Sequence, residues 1–187
     1  AFSFLGRYRI IDFPISNMTN SDIERIQVFA GNNPRSLIEH LGIGRHYNIN
    51  SKTGKLQILF AEGHSKNDIY NTDIAAFWSN LDSIQKRKEE YVVIAPSYMI
   101  YTMDFGMLLE HHIESDADIT LLYHSVKNAN TNYLNCNFVT LNRQNGVLSL
   151  LTNRGSEAER DIAMDTYIMK SLPSLSQRFS SVLFLEY

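Results

Sequence analysis

The apolar run Tyr91-Val92-Val93-Ile94-Ala95 is followed by a loop, Pro96-Ser97-Tyr98-Met99-Ile100-Tyr101-Thr102-Met103-Asp104-Phe105, that contains no carboxylate before Asp104. The run predicts a buried strand. In open α/β sheets ligands bind just beyond the carboxyl ends of strands, and phosphate chemistry there ordinarily needs a carboxylate to hold a divalent metal. Tyr98 stands in that loop instead. A neutral phenol with a pKa near ~10 is a poor Mg²⁺ ligand at neutral pH. Asp104 lies up to ~20 Å further along an extended chain, and its place before Phe105 suits the cap of a helix.

The remaining polar side chains point less clearly to chemistry. Arg7 and Arg9 are candidate anion contacts, because planar, permanently charged guanidinium groups match phosphate. The alternative for both is a surface role, paired with Asp12 or with solvent. His111 and His112 are adjacent on a predicted helix, so they diverge and do not share a metal. His40, His46 and His64 lack metal-ligand spacing, and Glu62 with His64 is too weak a pair to define a site. Gly42-Ile43-Gly44 follows a helix, whereas a dinucleotide-binding loop precedes one. Cys136 reads as a small buried residue, not as a nucleophile.

Composition limits the possible functions. The chain has 187 residues, 44% hydrophobic and 20% charged, which suits one domain with one sizeable core. A net charge of −3 with scattered Lys and Arg offers no basic field for nucleic acid. One cysteine rules out an internal disulfide framework and points to a reducing, cytoplasmic setting. No apolar stretch approaches the ~20 residues of a membrane span, so no membrane partner is expected. Asn17-Met18-Thr19 matches the glycosylation pattern, but nothing else suggests secretion. The chain opens in apolar sequence at Ala1 to Leu5 and ends in Val182-Leu183-Phe184-Leu185; both ends read as parts of a longer protein.

The elements that must position these residues alternate. Asp12-Phe13-Pro14 predicts a helix start with a capping side chain. Residues 25–30 form a strand, and Asn33-Pro34 opens a helix that ends at Gly42. Ile74, Phe77, Trp78, Leu81 and Ile84 recur at helical spacing, predicting one helix over 73–88 that packs this face, with the Phe77/Trp78 cluster, on the sheet. Asp104 caps a helix whose Phe105, Leu108, Leu109, His112 and Ile113 share a side, and 119–123 is the next strand. Beyond 130, Phe138–Leu141 and Val147–Leu151 flank Asn145-Gly146 as a hairpin, an antiparallel excursion from the main sheet. Residues 152–161 read as a solvated loop, and Tyr167-Ile168-Met169 re-enters the core.

The string Gly6-Arg7-Tyr8-Arg9-Ile10-Ile11-Asp12-Phe13-Pro14-Ile15-Ser16-Asn17 resembles the segment after the glycine-rich loop of glucose-1-phosphate adenylyltransferases, the ADP-glucose pyrophosphorylases of glycogen synthesis. Three later segments fall in that family's order: Ser36 to His40, Asn80 to Ile84, and Tyr91 to Ile94 leading to Ile100 to Phe105. The resemblance implies an α/β fold, a Rossmann-like nucleotidyltransferase domain with a mixed sheet. Residues 1–187 would form a single incomplete domain, with the first strand, the glycine-rich loop and a C-terminal left-handed β-helix outside them. In the family, glucose-1-phosphate attacks the α-phosphate of ATP while Mg²⁺ steadies the developing charge.

The chain departs from the family at the places where that chemistry occurs. Ser97-Tyr98 falls on the family's Gly-Asp, whose aspartate binds the metal. Thr72-Asp73-Ile74 replaces Gly-Thr-Ala, adding side chains where a backbone must approach the nucleotide. Thr152-Asn153-Arg154 replaces Glu-Lys-Pro, so Asn153 removes the lysine that holds the sugar phosphate, though Arg154 retains a charge nearby. Asp165 replaces the glycine before the Ile-Tyr pair, and a carboxylate there repels phosphate. Arg7 falls on a family lysine associated with effector binding. This pattern resembles the non-catalytic, GlgD-type branch of the family, implying a regulatory subunit that modulates a catalytic ADP-glucose pyrophosphorylase subunit and answers to a phosphorylated metabolite. No catalytic residue, metal or cofactor is then expected. Two alternatives stay open: an active enzyme using Mg²⁺ and ATP with Asp104 or ligands outside the chain, and a Rossmann-like domain binding an unrelated small molecule.

Overall fold

A computed structural model describes residues 3–23, 25–30, 34–42, 47, 49, 55–60, 73–85 and 89–171. The chain enters through two short antiparallel strands, β1 (Ser3–Phe4) and β2 (Tyr8–Arg9), and turns into helix α1 (Asp12–Asn20). Asp12 does not cap this helix as its position predicts. Ile11 is the N-cap, without a side-chain bond, and the Asp12 carboxylate instead accepts from the Arg9 backbone N–H at 2.9 Å. Strand β3 (Arg25–Ala30), helix α2 (Arg35–Leu41) and strand β4 (Lys55–Phe60) form a parallel unit, Arg25 opposite Lys55 and Ala30 opposite Phe60. Gly42 ends α2 at φ +53°, a left-handed conformation that glycine adopts without steric cost.

The helix predicted over 73–88 is two helices, α3 (Asp73–Ser79) and α4 (Leu81–Gln85). The break is at Asn80, whose amide donates to the Ala76 and Phe60 carbonyls, both at 3.0 Å, while its own carbonyl starts the next turn by accepting from Ser83 N–H at 2.9 Å. A short amide side chain competes with the helical ladder in this way. Phe77 meets Phe29 edge-on at 4.9 Å as a core residue should. Trp78 does not: it is 76% exposed, and its indole points away from the core.

Strand β5 (Tyr91–Ile94), helix α5 (Phe105–Ser115) and strand β6 (Ile119–Val126) carry the alternation onward. β5 is half-buried, not buried, with Val92 37% exposed. Phe105, Leu108 and His112 of α5 are buried as predicted, but Ile113 is half-exposed. A short helix α6 (Ala129–Asn132) precedes the hairpin of β7 (Asn137–Leu141) and β8 (Val147–Thr152), which turns through Asn145 at φ +60°.

The long strand β9 (Arg160–Lys170) organises a five-stranded sheet whose pairings are all antiparallel, separate from the parallel β3–β4 pair. It pairs antiparallel with β6 along one edge. Its later residues pair with β5 and its earlier ones with β7, so the hairpin belongs to the main sheet. Ile168 and Met169 are buried, as their apolar run requires. The loop before β9 is shorter than predicted: β8 reaches Thr152, Asn153 is fully buried, and β9 begins at Arg160. Cys136 is exposed and not a core residue.

Two clusters hold the halves of the fold. Ile11, Ile15, Ile26, Val28 and Leu41 seal α1 and α2 onto β3. Phe105, Leu108 and Ile168 pack with Met18, Ile23, Val93 and Tyr101, joining α1 to the larger sheet. Polar bonds across this junction add direction: Asn17 donates to the Tyr101 carbonyl at 2.7 Å, and the Phe105 backbone N–H donates to Ser21 Oγ at 2.9 Å. An Asn17 held in this way is 8% exposed and presents no amide to a glycosylating enzyme. Among the described residues, no helix is long and apolar enough to cross a membrane.

Candidate functional site at the carboxyl end of β5

Antiparallel pairing of β5 with β9 sets Ile94 opposite Tyr167. The chain leaving β5 therefore meets the residues that precede Tyr167, and Tyr98 reaches Asp165. The Tyr98 hydroxyl donates a hydrogen bond to the Asp165 carboxylate. One turn of the loop later, the Tyr101 hydroxyl bonds Thr166 Oγ1 at 2.9 Å. Burial pushes the Tyr101 phenol up, and the Thr166 bond only partly opposes that shift. Thr166 is fully buried and also donates to the Met164 carbonyl at 3.0 Å.

The backbone at this point is irregular. Leu122 of β6 pairs with Thr166, but the next residue, Tyr123, pairs with Ala163, leaving Met164 and Asp165 as a bulge. Asp165 sits at φ +46°, in the left-handed region, which Asp and Asn visit more readily than most side chains. Bulges commonly re-aim a side chain next to a functional site. Here the bulge turns the Asp165 carboxylate toward the loop that carries Tyr98.

The other residues singled out from the sequence lie elsewhere. Ser97 is exposed beside Tyr98, and Thr72 lies outside the described residues, as do His46, His64 and Glu62. Asp104 is the N-cap of α5, its carboxylate accepting from Gly106 N–H at 2.8 Å. Asn153 is an internal tie. Its amide donates to the carbonyls of Ala129 at 2.7 Å and Tyr133 at 2.8 Å, and its oxygen accepts from Gly155 N–H at 3.0 Å. Its amide thus ties Ala129 of α6, and Tyr133 just after it, to the end of β8, while its oxygen holds the turn at Gly155. The Arg154 guanidinium donates to Asn135 Oδ1 at 3.4 Å.

Arg7 is exposed in the turn between β1 and β2, its guanidinium carbon 6.0 Å from the centre of the Tyr8 ring. Arg9 donates to Ser36 Oγ at 2.6 Å. Its link to Asp12 runs through the backbone N–H, not through the guanidinium group. Asp12 also accepts from the Tyr47 hydroxyl at 2.6 Å and meets His40 Nε2 at 2.7 Å. Burial raises the Asp12 pKa, but the bonds from Tyr47, Arg9 N–H and His40 outweigh it and leave the carboxyl below its ordinary 3.8. This knot ties α1 to α2 and was not apparent from spacing, since its members are 28 and 35 residues apart in the chain.

The nucleotidyl transferase family profile matches residues 1–133. The chain belongs to the nucleotidyl transferase family. A glucose-1-phosphate adenylyltransferase of Lachnospira eligens is 37% identical over 122 residues, 65% of this chain and 29% of that protein. The glycogen biosynthesis protein GlgD of Geobacillus stearothermophilus is 35% identical over 130 residues, 66% of this chain and 36% of that protein. The chain thus spans about a third of the length of the curated relatives it matches. The crystal structure of HddC from Yersinia pseudotuberculosis superposes with a TM-score of 0.62 over 86% of this chain and 62% of that one. At 11% identity this establishes the fold of the nucleotidyl transferase domain and nothing finer.

Proposed function

We propose that this chain is part of a regulatory, largely non-catalytic subunit of a bacterial ADP-glucose pyrophosphorylase, which modulates a catalytic partner making ADP-glucose from ATP and glucose-1-phosphate. Relatives named as enzyme and as GlgD match at nearly equal identity, so the choice rests on the site. The observation that carries it is the Tyr98–Asp165 contact at the carboxyl end of β5. The loop position where the resemblance implies a metal-binding aspartate holds a phenol, and that phenol is bonded to a carboxylate.

The donor set does not suit Mg²⁺, which needs near-octahedral oxygen coordination with carboxylate support. Asp104 is committed to the α5 cap, and among the described residues no three of His, Cys, Asp and Glu gather as a metal site. Asn153 cannot substitute for a phosphate-holding lysine, because both its amide hydrogens go to backbone carbonyls. Loss of a metal clamp and of a phosphate cation together is worth roughly a thousandfold or more in rate. Arg7, exposed near the start of the chain, remains the candidate contact for a phosphorylated effector.

The full-length protein, assayed alone for ADP-glucose formation, should run at less than about a thousandth of a catalytic subunit's rate. A rate within about tenfold of that subunit would overturn the proposal.

A further inference from the structure

We infer that Asp165, presented by its bulge and gripped by Tyr98, closes this site to phosphate-bearing ligands through its charge, independently of the missing metal ligand. This rests on reading the carboxyl end of β5 as the remnant of the ligand site. Three observations place the charge there. The bulge leaves Met164 and Asp165 outside the β6–β9 ladder, so the Asp165 side chain is not fixed by strand pairing. The left-handed backbone at φ +46°, which aspartate adopts more readily than most side chains, turns this residue out of the regular strand alternation. The Tyr98 hydroxyl donates to the carboxylate, which holds the side chain in one direction without neutralising it.

Among the described residues no Lys, Arg or His forms an ion pair with Asp165. Asp165 is only partly buried. A phosphate brought to about 4 Å from a like unit charge loses about fivefold in affinity in bulk water and far more in a less polar setting. The half-buried position lies between these limits, and a penalty of about tenfold or more follows. Neutral ligands escape that penalty and can use both groups, because a carboxylate accepts and a phenol donates or accepts hydrogen bonds from hydroxyls.

The test is calorimetric titration of the full-length protein and its D165N, D165G and Y98F variants with inorganic phosphate, glucose-1-phosphate and glucose. D165N keeps the size of the side chain and removes the charge, and D165G suits the left-handed backbone if the asparagine variant folds poorly. Circular dichroism confirms the fold in each case. Charge exclusion requires D165N or D165G to bind glucose-1-phosphate at least about tenfold more tightly than the parent, with glucose affinity unchanged and Y98F gaining less than about twofold. Two results would overturn it: no gain in either folded Asp165 variant, or a gain in Y98F as large as in D165N, which would assign the closure to the tyrosine ring. The regulatory reading is judged separately, by effects on a catalytic partner, so either inference can fail alone.

Discussion

Asn153 is a structural tie in this fold. The resemblance implies a phosphate-holding lysine at this position, yet the asparagine is fully buried and spends both donors and its acceptor on backbone partners. N153D should be severely destabilising, because it would bury a carboxylate against the Ala129 and Tyr133 carbonyls; a loss of about 3 kcal/mol or more is expected from chemical denaturation. Nothing in the spacing of Thr152-Asn153-Arg154 reveals this, since asparagine in a polar stretch reads as loop and the Tyr133 and Ala129 carbonyls that receive it lie 20 and 24 residues earlier. His112 was more legible, because helical periodicity puts it on the apolar side of α5. It is 1% exposed, its Nδ1 meets Thr120 Oγ1 at 2.7 Å, and its ring lies edge-on to Tyr91. Burial holds its pKa below the ordinary 6.5, with Lys170 and His111 adding to the shift. As pH falls through 6.5 the unfolded chain takes up a proton that the native imidazole resists, so His112's contribution to stability is lost on acidification. The stability difference between the parent and H112Q should therefore change as pH falls below 6.5, with a slope of at most ~1.4 kcal/mol per pH unit, measured by urea denaturation at several pH values.

Among the elements, most features set by local chemistry agree with expectation, the Asp12 cap of α1 excepted. Gly42 closes α2, Asn145-Gly146 turns the β7–β8 hairpin, and Asp104 caps α5. The cap gives a direct check: D104A should lose about 1 kcal/mol of stability in thermal denaturation. Any activity measured in the parent should be unaffected, because a cap and a metal ligand make different demands on one carboxylate. Elements that depend on side chains meeting across the fold were harder to read. A helical period runs through Asn80, but Asn80 donates to Phe60 on β4 and ends α3 there. Ile113 keeps the period of α5 yet lies half-exposed. The bulge at Met164 and Asp165 left no signature in the sequence, because β9's register is set by β6, about forty residues upstream.

On the scale of the whole molecule, the α/β order of elements was readable in the alternation of strands and helices, and the nucleotidyl transferase family profile matches residues 1–133. The route of β9 was not readable. Its long antiparallel run between β6 on one side and β5 and β7 on the other brings Asp165 to Tyr98, although each was suspect for separate reasons. The regulatory proposal rests on a scaffold that keeps its nucleotidyl transferase architecture while the loop after β5 is tied to a bulged carboxylate. The most direct measurement is ADP-glucose formation by a fixed amount of the catalytic subunit as the full-length protein is added in increasing proportion, with and without phosphorylated effectors. The proposal predicts a saturable change in rate or effector response at a definite subunit ratio, with negligible rate from the added protein alone. A catalytic subunit whose rate and effector response are untouched at every ratio would contradict it.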